Sequence, residues 1–345
     1  MTDLSLTEDQ ESLRDAFGKL FDRESPISQV RAAEPSGYDE HLWTAIAAAG
    51  IPLMAVGESC GGGGGTLEDL AVVVREAGRT LAPAPVVESA VAARLLSQFG
   101  PGRALLAEIA SGEVIPVVAV RPPAAGIARL VPSGAVADAV IALDDEQLVL
   151  LRRRGRRPHV PVPGNLGCVP VADVVLAGGW ERAVLASGPA ALGAYDRARA
   201  EWQLLTAAAL DGLRAQALRI GVEYVKQRHA FGVPLGWFQT VAHRLADHAT
   251  AGDGSELLVH KAAWALDGNR PDAFALASMA FLHAADVAFR TCRDALQFHG
   301  GYGFTVEYDI QLYFRRAKAW PLALGAPRQE YRRLAHLLFA PDGRE

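Results

Sequence analysis

Residues 114–176 depart from the pattern of the chain around them. Short β-branched runs at 114–120, 137–143, 147–151 and 169–176 are separated by Pro122-Pro123, Ser133-Gly134, Asp144-Asp145 and Pro163-Gly164, as expected of strands joined by turns. On both sides the apolar spacing is helical. This layout predicts a mainly α fold with a central β-domain: an N-terminal helical domain over 1–112, a small antiparallel, barrel-like middle β-domain over 113–178, and a C-terminal four-helix bundle over 179–345. A chain of 345 residues, half of them hydrophobic, is long enough to give each part a core.

The helical ends carry their own punctuation. Thr7 followed by Gln10 reads as a capping box ahead of a helix reaching about Asp22, with Leu13, Ala16, Phe17 and Leu20 at three- and four-residue steps. A second helix over 40–49 should stop at Gly50, where a left-handed residue is expected, and Pro52 prevents continuation. Beyond Trp180 four long helices are expected, at about 181–198, 203–228, 237–266 and 272–298. On the second of these Leu210, Leu213, Ala217, Ile220, Tyr224 and Arg228 share one stripe, the mark of a helix packed in a bundle.

Several function classes are disfavoured at once. With 34 basic against 39 acidic side chains the net charge is −5, which argues against a nucleic-acid partner. The three cysteines, Cys60, Cys168 and Cys292, are too scattered for a disulfide framework or a zinc ribbon. No histidine pair has ligand spacing, and His243 and His248 fall on different helix faces, so no metal site is expected. The N-terminus has no leader pattern and no stretch of 18 residues stays apolar, so a cytoplasmic location without a membrane span is expected.

Two glycine- or arginine-rich runs have bland readings. The five glycines at 61–65 lack the Lys-Ser or Lys-Thr of a phosphate loop and read as an interhelical turn. The arginines between 152 and 157 read as a solvated β-turn, although guanidinium groups there could gather an anion. Two other segments combine cation, amide, aromatic and glycine at fixed offsets. In the first, Arg228 can neutralise a pyrophosphate, Phe231 offers a ring, Gly232 and Pro234 permit a tight turn, and Gln239 sits near the start of the next helix, where free N–H groups favour anions. In the second, Gln297 precedes Gly300, Gly301 and Gly303, which let a backbone approach a flat or phosphorylated ligand.

These two segments, in this order and about seventy residues apart at the end of a helix-β-helix chain, resemble the acyl-CoA dehydrogenase family of flavoproteins. The likeness extends to Leu42-Trp43, Gly57-Glu58, the stretch from Glu76 through Gly78 to Pro83, and the end from Glu307 to Lys318. The resemblance implies the three-domain fold, assembly as a dimer of dimers and an FAD cofactor. It implies that Arg228, Phe231, Gln239, Gln297, Gly300 and Gly301 hold the FAD of a neighbouring chain. It also implies α,β-dehydrogenation of an acyl-CoA thioester, in which a carboxylate removes the Cα proton, hydride passes to the flavin and electrons go on to an acceptor such as an electron-transfer flavoprotein.

Against that pattern the sequence departs where the chemistry occurs. The family glutamate, six residues beyond the lysine of Arg-x-Ala-Lys, corresponds to Leu324 before Gly325, and leucine cannot take a proton. The alternative family position, on the helix upstream of the arginine turn, corresponds to Trp202. Its neighbour Glu201 lies about 100° around the helix and serves as base only if the register shifts, the other reading being a solvated face. Glu307 and Glu330 are poor substitutes. The middle domain has lost the acidic-Pro-x-x-Gly-Ser stretch at 120–126 and the flavin-packing tryptophan near 130–134. The expected role is therefore the subunit lacking a complete active site in a heterotetramer, completing the FAD site of a second acyl-CoA dehydrogenase subunit in lipid or steroid catabolism. The alternatives are a self-sufficient homotetramer with a relocated base, and a scaffold that keeps the fold without a flavin.

Overall fold

A computed structural model describes residues 4–155 and 164–339. The N-terminal domain holds α1 (Glu8–Glu24), α2 (Ile27–Ala32), α3 (Glu40–Ala48), α4 (Leu67–Arg79), α5 (Val86–Ser97), α6 (Gly100–Arg103) and α7 (Leu106–Ala110). Its helix starts follow from local chemistry. The Thr7 hydroxyl accepts from the Gln10 N–H while the Gln10 side chain accepts from the Thr7 N–H, and Thr66 and Asp69 repeat the box at α4. Gly50, at φ 73°, ends α3 in the left-handed region as expected.

The middle domain contains β1 (Pro116–Val118), β2 (Ile127–Val131), β3 (Ala139–Asp144), β4 (Gln147–Arg153), β5 (Ala172–Val175) and β6 (Trp180–Ser187). Four strands form one sheet in the order β1-β3-β4-β6, and β2 pairs with β5 in a second. The expectation of a wholly antiparallel domain fails at one place: β1 runs parallel to β3, because the chain leaves for the β2–β5 pair between them and returns in the same direction.

The C-terminal domain differs more from expectation. Residues 180–187, expected to open a helix, form β6 on β4, so the sheet continues past residue 178. The two helices expected at 181–198 and 203–228 are one, α8 (Pro189–Gln227), which starts after Gly188 with proline in its first turn. Nothing between 198 and 203 breaks a helix, and pairing with β4 outweighs the helical preference of residues 180–187. A small hairpin, β7 (His229–Ala230) with β8 (Val233–Pro234), leads to α9 (Gln239–Asp267), α10 (Ala273–Phe298), α11 (Ile310–Ala319) and α12 (Pro327–Phe339). The helical body therefore rests on three long helices with two shorter ones, where four long ones were expected. By length and apolarity α10 could cross a membrane, but most of it is buried between its neighbours as a core helix.

Helices α4 and α8 cross so closely that a Cβ on Gly78 would lie 2.0 Å from the Ala209 carbonyl oxygen, and one on Gly212 1.9 Å from that of Arg75. Around this crossing Asp211, almost fully buried, accepts from Arg75 Nε at 2.9 Å and from Arg214 Nε at 3.0 Å. The Arg75 pair thus ties the first helical domain to α8, while the Arg214 pair lies within α8 itself. At the far end of α9, Asp267 accepts from the Leu67 and Glu68 N–H groups and caps α4 from another domain.

Candidate functional site

A cavity of about 350 Å³ opens where the three domains meet. The end of α4 and start of α5 supply Gly78 and Glu88, the middle domain supplies Ser133 and Cys168, α8 supplies Trp202, and the turn after α11 supplies Trp320. The wall is mostly apolar, and Glu88 is the one carboxylate among its lining residues. Burial pushes the Glu88 carboxyl above the ordinary carboxylate range, while hydrogen bonding from its own backbone N–H, from Trp202 and from Ser133 pulls the other way without cancelling it. The Trp202 indole N–H, 2% exposed as a residue, leans on this carboxyl without completing a hydrogen bond of normal geometry. Sequence reasoning missed Glu88. In the sequence it is one acidic residue in a first helical turn, where carboxylates are common, and its enclosure is created by distant residues.

The positions proposed for a base are occupied in other ways. Leu324 is 3% exposed and packs in the core before Gly325. Glu201 is neither a base facing the cavity nor a solvated residue, so both sequence readings are corrected. It is 2% exposed, gripped by Arg94 through Nε and Nη2 at 3.0 Å each, and paired with Arg197 Nε at 3.0 Å. The 100° between successive helix positions decides this: α8 turns Trp202 to the cavity and Glu201 to the arginines of α5 and α8. Glu330 is also tied up, accepting from Arg199 Nη2 at 2.5 Å and Gln203 Nε2 at 3.0 Å.

The second region is the end of the helical domain where the two motif segments meet. Tyr224, one turn before Arg228, stacks on His299 with ring centroids 3.9 Å apart, and its hydroxyl donates to the His299 carbonyl at 3.4 Å. Gly221 lets α10 approach, since a Cβ there would meet the Ala295 Cβ at 3.0 Å. This contact brings the arginine turn and the glycine turn to one end of the molecule. Arg228, Gln239, Gln297, Gly300 and Gly301 are all exposed there. Phe231 and Gly232, at φ 54° and 84°, form the two-residue turn between β7 and β8, where both central residues need positive φ. Phe231 is 96% exposed in that costly conformation, and its ring meets Phe238, edge to face at 6.2 Å.

These residues fit a flavin nucleotide. Arg228 has no ion pair among the described residues. Gly301 has ordinary φ and open space where a Cβ would lie, so nothing among the described residues requires glycine there, and the missing side chain leaves room for an outside group to approach the backbone.

The other motifs have local uses. In the glycine run, the N–H groups of Gly62, Gly63, Gly64 and Gly65 donate to the carbonyls of Gly57, Leu53, Val56 and Met54, so none points outward to cradle a phosphate. Arg152 pairs with Glu108 at 2.6 Å and Arg153 lies over the Trp180 ring at 4.5 Å, while Arg156 and Arg157 lie outside the described residues. His248 binds Asp294 at 2.9 Å.

A helical, sheet and helical succession with a cavity at the domain junction and an exposed arginine-glycine end is the layout that the sequence resemblance implies. Residues 7–113 match the acyl-CoA dehydrogenase N-terminal domain and residues 200–334 the acyl-CoA dehydrogenase C-terminal domain. The chain is 32% identical to acyl-CoA dehydrogenase IpdE2 of Mycolicibacterium smegmatis, covering 97% of this chain and 100% of that protein. It superposes on the ChsE4-ChsE5 complex from Mycobacterium tuberculosis with a TM-score of 0.87 at 26% identity, covering 99% of this chain and 100% of that one. A variant of the Tcur3481-Tcur3483 steroid ACAD gives 0.82 at 26% identity, over 96% and 98% of the two chains. The chain belongs to the acyl-CoA dehydrogenase family, whose members typically bind FAD.

Proposed function

We propose that this chain is the subunit of a heteromeric acyl-CoA dehydrogenase that completes the FAD site of a catalytic partner and lacks a base of its own at the family positions. The observation that carries this reading is a division within one molecule. The exposed end built from Arg228, Phe231, Gln239, Gln297, Gly300 and Gly301 keeps the groups suited to a nucleotide, whereas Leu324 and Trp202 occupy the two family base positions and the neighbouring Glu201 is bound by arginines. The two similar solved structures of paired proteins, ChsE4-ChsE5 and the steroid ACAD Tcur3481-Tcur3483, support a mixed assembly, and the second supports an acyl-CoA of steroid or related lipid origin.

In this assembly Arg228 would neutralise the pyrophosphate, Gln239 and Gln297 would offer amide donors and acceptors, and Gly300 and Gly301 would let the backbone close on the nucleotide. FAD, when bound, supplies the hydride acceptor, and an electron-transfer flavoprotein would take the electrons onward. The base that removes the Cα proton comes from the partner subunit.

Co-purification with a catalytic partner tests this. The expected result is a mixed tetramer with FAD at half occupancy that dehydrogenates an acyl-CoA, and a chain that alone carries no flavin. A chain that is yellow alone, with full FAD occupancy and flavin reduced by acyl-CoA, would favour the self-sufficient enzyme. A chain that recruits no flavin with any partner would favour the scaffold.

A further inference from the structure

The turn that carries Gly300 and Gly301 is fastened unevenly. At its inner side a Cβ on Gly303 would lie 2.6 Å from the Leu296 carbonyl oxygen, so the turn folds back against the end of α10. Beyond it the chain runs over the surface, with Phe304, Val306 and Glu307 exposed. The Thr305 N–H donates to the Tyr302 carbonyl at 3.0 Å and the Tyr308 N–H to the Thr305 carbonyl at 3.4 Å, bonds that shape this stretch without attaching it to the body. The Tyr308 ring packs back toward His299 and Tyr302, with centroids 5.7 and 5.8 Å away.

Among the described residues, the hydrogen bonds that reach 300–309 from the first helical domain come from one side chain. Arg31, on α2, donates through Nη1 to the Val306 carbonyl and through Nη2 to Asp309 Oδ1 at 2.6 Å. Three residues on, Glu34 accepts from Arg315, and its Oε1 lies 3.5 Å from Arg316 Nη1. Charges of opposite sign therefore meet the start of α11 and its last turn, and a slip of α11 along its axis would break both contacts. The Arg31 contact lies where α11 meets the exposed stretch, so it sets where that stretch, and the glycine turn before it, stands against the body.

We infer that Arg31 is a positioning residue for the nucleotide end: by holding Val306 and Asp309 it keeps Gly300 and Gly301 in place before FAD arrives, and it acts through the turn rather than on the nucleotide. The inference rests on the reading of that end as an FAD site and adds that affinity there is set in part from another domain. The Arg31 and Asp309 side chains are 29% and 40% exposed, so their pair contributes little to global stability. Its effect on binding is of another kind. A turn that wanders must be ordered by its ligand at the expense of affinity, and a turn already held need not be. A guanidinium suits this task, because its planar fork reaches a carbonyl and a carboxylate together in fixed geometry, which a lysine ammonium does not.

The test measures FAD retention on dilution of the mixed assembly for Arg31→Met, Asp309→Ala, Asp309→Asn and the double variant Arg31→Met with Asp309→Ala, with Arg228→Met as the control. Arg31→Met should weaken retention roughly three- to tenfold, and Asp309→Ala should lose part of that. Asp309→Asn keeps Oδ1 as an acceptor and should stay within about twofold of the parent. The double variant should match Arg31→Met within about twofold, because both changes act through one contact. In the isolated chain, hydrogen exchange of Arg31→Met should quicken at the Thr305 and Tyr308 N–H groups and not in α10, with the melting temperature held. Parent-like retention by Arg31→Met, while Arg228→Met loses FAD, overturns the positioning role and leaves the nucleotide reading standing. Weakened retention with a lowered melting temperature and faster exchange throughout the chain also overturns it, since that is general destabilisation. Parent-like retention by Arg228→Met as well overturns both. If Arg31→Met does not fold, the aspartate pair decides, and equal retention by Asp309→Ala and Asp309→Asn overturns the proposal.

Discussion

Arg94 holds Glu201 with two guanidinium nitrogens, Nε and Nη2, each 3.0 Å from a different carboxylate oxygen. The pair joins α5 of the first domain to α8 of the last, and Arg197 adds a third bond from one turn upstream. With both oxygens taken up by arginine donors, this carboxylate is not turned to a substrate, so Glu201→Gln should leave turnover of the partnered enzyme unchanged within about twofold, where loss of a general base costs roughly 100-fold or more. Arg94→Met should instead destabilise the chain, because it leaves a buried charge partly unpaired. Since Arg197 remains, the loss should fall toward the lower end of about 3–5 kcal/mol. Steady-state kinetics with the first variant and urea unfolding with the second check the two halves.

The parts of this architecture that were legible in the sequence are those fixed by neighbouring residues. Thr7 and Gln10, or Ala47 and Gly50, interact within a turn, and their chemistry announces a helix end before anything else folds. The strand Trp180–Ser187 was not legible, because its alanines, leucine and glutamate suit a helix and only pairing with Gln147–Arg153 makes it extended. The same holds for the site. Arg228 and Gly300 stand in motifs and could be singled out as candidates, and the Tyr224–His299 stack that brings their turns together lies between residues far apart in the chain. Glu88 stands in no motif, and the fact that it lines a cavity follows from Ser133 and Trp202, which the chain brings to it from two other domains.

The α4–α8 crossing gives a stability prediction. A Cβ added at Gly78 or Gly212 would lie 2.0 or 1.9 Å from a carbonyl oxygen of the other helix, and backbone cannot swing aside as a side chain can. Gly212→Ala should separate the helices, strain the Asp211 pairs beside them, and destabilise the chain at or above the top of the usual overpacking range of about 1–3 kcal/mol. Gly301→Ala, with open space at its Cβ, should change stability by less than about 0.5 kcal/mol. Thermal unfolding of the two alanine variants side by side measures the contrast.

Arg228 separates binding from folding. Its side chain is exposed, and its removal breaks no ion pair among the described residues. Arg228→Met should therefore leave the melting temperature of the isolated chain unchanged. In the mixed assembly it should weaken FAD retention by roughly 10- to 100-fold, the worth of a charge-assisted hydrogen bond to phosphate. Flavin fluorescence released on dilution of the assembly measures the loss. Equal retention by variant and parent would show that the exposed end does not hold the nucleotide.

His299 makes the same end sensitive to acid. Burial lowers its pKa from the usual 6.5, although its hydrogen bond to the Ala295 carbonyl works in the other direction. The folded chain therefore keeps the ring neutral where the unfolded chain would take up a proton. The sign follows from that difference: above about pH 6.5 His299 is neutral in both states and costs nothing, and stability falls as pH drops from there toward the lowered folded value, then levels off. His260, also held below 6.5 by burial, adds a parallel loss elsewhere in the helical domain. His299→Gln removes only the first contribution, so its unfolding free energy should fall less steeply between pH 6.5 and 5 than that of the parent. If the Tyr224–His299 stack positions the arginine and glycine turns, FAD retention in the assembly should lose part of its acid sensitivity in the same variant, and the two pH profiles measured together distinguish a local effect from general unfolding.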